Sequence, residues 1–218
     1  MRIYIFSLLV KNHYLYGMKK PVIIIIATIC VAAIAIAQAV LERRGSAPSQ
    51  LLEIFDVEGS SAKARLTING EQIFVTNVFI GEYGIGKQRE GDRKTPQGTL
   101  HAKRAFGILP NPGTKFDYIR VTPSIFACGD REYYNQIVDT AALHHVCTGE
   151  DMYHMGPDYN YGLETDYNSE CIYKRGAAIF IHCKGNKPYT AGCIAFDQDR
   201  MIQILNLCDT SLVVTVRP

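Results

Sequence analysis

His182 and Cys193 stand eleven residues apart in the stretch AAIFIHCKGNKPYTAGCIAFDQDRM, residues 177–201. A thiol is a weak nucleophile until it loses its proton, and a nearby imidazole can take that proton and stabilise the thiolate. The histidine ends an apolar run, a polar loop of Lys184, Gly185, Asn186, Lys187 and Pro188 comes next, and Gly192 immediately precedes the cysteine. Glycine at that point lets the backbone close on a bound carbonyl and turn its amides towards it. Two strand ends joined by such a loop can bring His182 beside Cys193. A buried cysteine is as readily a small apolar side chain, so the spacing alone leaves both readings open.

The elements that would position the pair are mainly strands. Leu51–Val57, Ala64–Ile68 and Gln72–Phe79 are short apolar or alternating runs, and Asn69-Gly70 between the last two is a strong hairpin signal. Phe116–Val121, Ala177–Ile181 and the β-branched Leu212–Val216 read as further strands, the second fully buried because it lacks polar alternation. Residues 81–98, GEYGIGKQREGDRKTPQG, form a long loop rich in glycine and charge, of the kind that usually serves a site. The Tyr-, Asn-, Gly- and Asp-rich section 127–176 suits a cover over a cleft, with a helix expected around Arg131–Leu143. Met201–Leu207 reads as a short helix capped by Asp197 or Asp199. The pattern predicts one mainly β domain with a few short helices over residues 51–218.

Ahead of it, residues 40–50 (VLERRGSAPSQ) read as a tether. Residues 1–39 read as a leader: Lys19 and Lys20 precede an unbroken apolar run from Pro21 to Ala37, and Ala37-Gln38-Ala39 resembles a signal-peptidase site. An uncleaved N-terminal membrane anchor is the rival, and both readings export the domain. Met18 would open a conventional leader, so residues 1–17 can be an over-extended start. Four of the 23 basic residues and none of the 21 acidic ones lie in residues 1–39, so the body carries a charge near −2. That balance gives no electrostatic footprint for nucleic acid. Of seven cysteines, Cys30 falls in the leader, and no Cys-x-x-Cys pair suggests a zinc ribbon. Some of the remaining six can pair in an oxidising compartment, and the pairing stays open.

GDRKTPQGTL (91–100) together with IFIHCKGNKPYTAGCIAF (179–196) resembles the catalytic domain of the YkuD, or ErfK, family of L,D-transpeptidases, over nearly all of residues 51–218. The resemblance implies a YkuD-like β-sandwich that works without metal or cofactor. It makes Cys193 the nucleophile and His182 the base, with the Cys183 carbonyl orienting the histidine. Thr190 falls in the cysteine loop as a candidate substrate-binding residue, and the amides of Gly192 and Cys193 become oxyanion donors. The implied reaction is acyl transfer on peptidoglycan stem peptides. The thiolate attacks the carbonyl of the third residue, D-alanine leaves, and an amine acceptor resolves the thioester; with water as acceptor the enzyme is a carboxypeptidase. A hydrolase on the same scaffold and an inactive wall-binding module are the alternatives. Many members have a histidine two residues before the cysteine, where this chain has Ala191, and the shorter His-to-Cys interval marks a divergent branch.

Other residues carry weaker signals. Arg93 and Lys94 are candidates for substrate carboxylates, against a solvated loop with Asp92 as local partner. Thr95, Pro96 and Gly98 more simply hold a turn. His144 and His145, near Cys147, show no matching ligand pair in the sequence and are expected at the surface of the cover, and His154 is expected to be structural. Of Tyr153, Tyr159, Tyr161 and Tyr167, one is expected at the substrate, and Tyr161 is the choice. Strand alternation should turn Cys183 away from the cleft, yet a Cys183–Cys193 disulfide acting as a redox switch is a further hypothesis.

Overall fold

Three alternating strands begin the domain: β1 (Gln50–Glu58), β2 (Ser61–Ile68) and β3 (Glu71–Phe79). Leu52, Ile54, Ala64 and Leu66 turn inward with no exposure while their neighbours face out, which is what period-2 sequence demands of a one-sided strand. Asn69 and Gly70 both hold positive φ (52° and 83°) in the two-residue turn that pairs Ile68 with Glu71. This is the geometry for which Asn-Gly is selected.

The computed structural model describes residues 48–218, together with residues 29, 30 and 33, which are helical. The leader otherwise, and the tether up to residue 47, lie outside the described residues. Residues 48–218 make one compact unit. Among the described residues no helix is long and apolar enough to cross a membrane.

The remaining strands are β4 (Gly98–Gly107), β5 (Tyr118–Arg120), β6 (Ile125–Cys128), β7 (Gln136–Asp139), β8 (Gly149–Asp151), β9 (Gly162–Thr165), β10 (Phe180–Cys183), β11 (Ile194–Phe196) and β12 (Val213–Val216). Nine of the twelve strands form one sheet in the order β12-β1-β2-β3-β11-β10-β9-β4-β5. Because β12 also pairs with β4, the sheet closes on itself, and the expected mainly β single domain is a barrel-like sandwich. The main core fills this ring, and helix α2 (Gln198–Leu207) adds Met201, Ile204 and Leu205 to it.

On the other side of β10 a second cluster gathers Phe106, Phe180, Tyr159, Met152 and Cys193 under the small sheet β7-β6-β8. Phe106, Tyr159 and Phe180 meet edge to face, with ring centroids 5.0–6.0 Å apart. Only the first part of the section 127–176, with β6, β7 and β8, forms a separate layer; β9 runs inside the main sheet between β10 and β4. In place of a helix over 131–143 there are turns, strand β7 and a four-residue helix α1 (Thr140–Leu143) capped by Asp139. Asn135, at φ 61°, breaks any helical run, and its side chain is committed to the carbonyls of Tyr167 and Asn168. The strands read at 116–121 and 177–181 shrink to 118–120 and shift to 180–183. Asp197 does occupy the cap position of α2, but its carboxylate pairs with Lys184 at 3.0 Å and makes no capping bond.

Candidate active site

Strands β10 and β11 run parallel, with His182 opposite Ala195 and Cys183 opposite Phe196. Two residues back on each strand, Phe180 meets Cys193, whose Sγ accepts the Phe180 amide at 3.3 Å. Alternation then puts His182 and Cys193 on one face and Cys183 on the other. The two lie a diagonal step apart in adjacent strands, a separation long side chains can span. Both line a cleft of about 340 Å³ together with Arg93, Glu150, Asp158 and Tyr159.

The Nδ1 of His182 lies 2.7 Å from the Cys183 carbonyl. A carbonyl only accepts, so Nδ1 carries the proton and Nε2 is the basic nitrogen. Burial pulls the imidazole below its usual value, against the pull of that bond and of the Asp158 charge. Cys193 Sγ does not donate to the imidazole; it donates to the Ala178 carbonyl at 3.1 Å. Burial first, then the Glu150 charge, pushes the thiol up to about 12, so it rests protonated.

The loop that carries the cysteine is braced from both sides. The Thr190 hydroxyl donates to the Cys193 carbonyl at 2.7 Å and accepts the Gly192 amide at 3.0 Å. Thr95, fully buried, donates to the same carbonyl at 3.3 Å and accepts the Gly81 amide at 2.9 Å. Gly192 sits at φ 142°, and a Cβ there would stand 2.8 Å from the Lys94 carbonyl oxygen. Beneath it Lys87 pairs with Asp92 at 2.7 Å, both side chains nearly out of solvent. Against the cost of burial, Lys87 and the amides of Arg89, Gln88 and Lys94 hold the Asp92 carboxyl well below the usual carboxylate range.

The cover supplies the opposite wall. Tyr159 packs edge-on against the His182 ring at 5.3 Å and donates its hydroxyl to Glu150 on β8. Burial pushes the Glu150 carboxyl above its usual value, against that bond. An imidazole, a shielded thiol and a braced turn beside it are parts from which a thiol acyl-transfer site can be built.

The model of the YkuD family, described as the L,D-transpeptidase catalytic domain, matches residues 54–216. The chain belongs to this family. No curated protein matches it. Among solved structures it is similar to the helical cell shape determining protein Pgp2 (K307A mutant) from Campylobacter jejuni, at 17% identity and a TM-score of 0.41. That match covers 78% of this chain and 47% of the other, so the chain spans about half of its neighbour's length.

Within the YkuD domain the residues expected from sequence separate into several groups. His182, Cys193, Arg93 and Thr190 come together at the cleft, and the Cys183 carbonyl meets the histidine. Thr190 spends its hydroxyl on the cysteine loop. Gly192 is not available as an oxyanion donor, because Thr190 Oγ1 already takes its amide. Lys94 does not line the cleft; its backbone abuts Gly192 and its amide bonds Asp92. Tyr161 is a core residue, not a substrate contact: it belongs to the face of Cys183, whose amide bonds the Tyr161 carbonyl at 3.2 Å. Of the four tyrosines, Tyr159 is the one that lines the cleft. Cys183 and Cys193 face opposite sides of the sheet, so a disulfide between them would require the backbone to move.

Sequence reasoning missed Glu150, Asp158 and Lys87. The first two come from the cover, where no motif marks an acid turned inward. Lys87 stood in a loop whose charges looked solvated.

Proposed function

We propose that the chain is a cysteine L,D-transpeptidase of peptidoglycan stem peptides, exported behind its N-terminal segment and working through a Cys193 thioester. The observation that carries this reading is the placing of His182 Nε2 and Cys193 on one face of the β10–β11 pair, in one cleft, inside a YkuD domain. Rotation of the thiol away from Ala178 O would bring it towards Nε2, which takes its proton. The thiolate then attacks the carbonyl of the third stem residue and D-alanine leaves. The amide of Cys193 is the proposed oxyanion donor, since that of Gly192 is engaged. Arg93, which lines the cleft and also pairs with Glu82 at 2.6 Å, is placed to meet a substrate carboxylate. An amine acceptor or water completes the cycle.

Carbapenem treatment tests the nucleophile. A mass increase equal to one drug molecule is expected on the native chain and not on Cys193→Ala, and equal labelling of both would refute the assignment. Incubation with muropeptides then distinguishes a cross-linked product, as expected of a transferase, from simple loss of D-alanine, as expected of a carboxypeptidase.

A further inference from the structure

Away from the cleft, four side chains of metal-binding type converge. Cys128, at the end of β6, and Asp130 form one arm; His145 and Cys147 form the other. The sulfur, nitrogen and oxygen ligand atoms all lie within 4.8 Å of one another. Cys128 and Cys147 are joined as a disulfide, with their Cα atoms 5.4 Å apart. A disulfide requires neither an acid nor an imidazole beside it. Yet Asp130 Oδ2 lies 3.5 Å from Cys128 Sγ and 3.2 Å from His145 Nε2.

Zinc bonds of about 2.0–2.3 Å in a tetrahedron place their ligand atoms about 3.3–3.8 Å apart, so these two edges already have the required length. The arms are held in register by the sheet: Cys128 pairs with Gly149, and the Gly129 amide bonds the Thr148 carbonyl at 2.6 Å. Asp130 is oriented from outside by the Thr148 amide at 2.9 Å and by the Thr148 hydroxyl. Such outer partners are what a ligand carboxylate needs. Two thiolates, an imidazole and a carboxylate in a closed tetrahedron suit Zn²⁺ in a structural role.

We propose that Cys128, Asp130, His145 and Cys147 bind one Zn²⁺ when the Cys128–Cys147 disulfide is reduced, so that metal and disulfide are alternative staples of the cover. A dithiol passes two electrons and two protons to the disulfide, leaving two cysteine thiols and its own disulfide. Zn²⁺ then displaces the two thiol protons to solvent. Strand β8, which places Glu150 at the cleft, starts two residues after Cys147. Either staple therefore holds that wall in place.

Cobalt titration of the full chain, reduced with a phosphine, tests the site without any variant. One equivalent should produce thiolate-to-cobalt charge transfer and the intense visible bands of a tetrahedral centre, and Zn²⁺ should bleach them. The oxidised chain should show neither. Asp130→Ala and His145→Ala keep both cysteines, so their oxidised forms can still fold; after reduction each should bind cobalt at least about tenfold more weakly. Cys183→Ser should still bind one equivalent. No tetrahedral spectrum in the reduced chain would overturn the proposal. So would a spectrum that survives in the oxidised chain, is lost in Cys183→Ser, or is unchanged in both ligand variants.

Discussion

With its S–H donating to the Ala178 carbonyl and its pKa raised to about 12, Cys193 must turn and ionise before it can react. A thiol raised this far loses a factor of ten in thiolate for every pH unit below its pKa. Alkylation of Cys193 by iodoacetamide, followed by peptide mass, should therefore rise steadily from pH 6 to about 10 in the substrate-free chain. A plateau in that range would mean that a resting thiolate–imidazolium pair exists. His182→Ala should lower turnover by about 10²–10⁴-fold, the usual contribution of a positioned base. Asp92 makes a different prediction. Its folded pKa lies below the unfolded value of about 3.9, so its contribution to stability is present at neutral pH and fades as acid protonates it. Asp92→Asn should cost about 1.5–3 kcal/mol in urea unfolding at pH 7, as for a hydrogen bond to a charged group, and the cost should begin to shrink only below about pH 4, with much of it still present at pH 3.

At the scale of elements, strand alternation decided most of what the sequence could and could not show. The hairpin at Asn69-Gly70 and the inward Leu52, Ile54, Ala64 and Leu66 were legible because local turn chemistry and period-2 burial agree. So was the turn of Cys183 away from the cleft and into the main core, which follows from its neighbour's direction. Strand β4 was not legible, because Lys103 and Arg104 stand in its middle and are satisfied only by Glu164 on β9, some sixty residues away. The helix expected at 131–143 failed for the same kind of reason: Asn135 is used by distant carbonyls. The site's motifs were legible, but its acidic wall was not, since nothing local to Glu150 tells that a tyrosine nine residues on will bond it. The braces of the cysteine loop give the test at this scale. Thr190→Val removes the bonds to both Cys193 O and Gly192 N and should cost about 1–3 kcal/mol of stability, with kcat falling more than KM rises. Gly192→Ala, forced against Lys94 O at positive φ, should abolish carbapenem labelling while circular dichroism remains that of a β domain.

For the whole molecule, closure rests on the last strand. β12 lies between β1, with which it is parallel, and β4, with which it is antiparallel. Deleting residues 213–218 would leave both partners as open edges, and the truncated chain should aggregate or lose its cooperative melt. The ring is not equally strong around its circumference. β2 and β3 are matched over eight residue pairs, whereas β3 meets β11 through the pair Ala195 and Phe79, continued beyond the strand ends by the backbone bonds of Thr190 to Ile80 and Glu82. This short seam adjoins Cys193, the residue just before β11. Amide deuteration should therefore reach β11 earlier than β1 to β3, and opening there would widen the cleft without unfolding the rest of the wall.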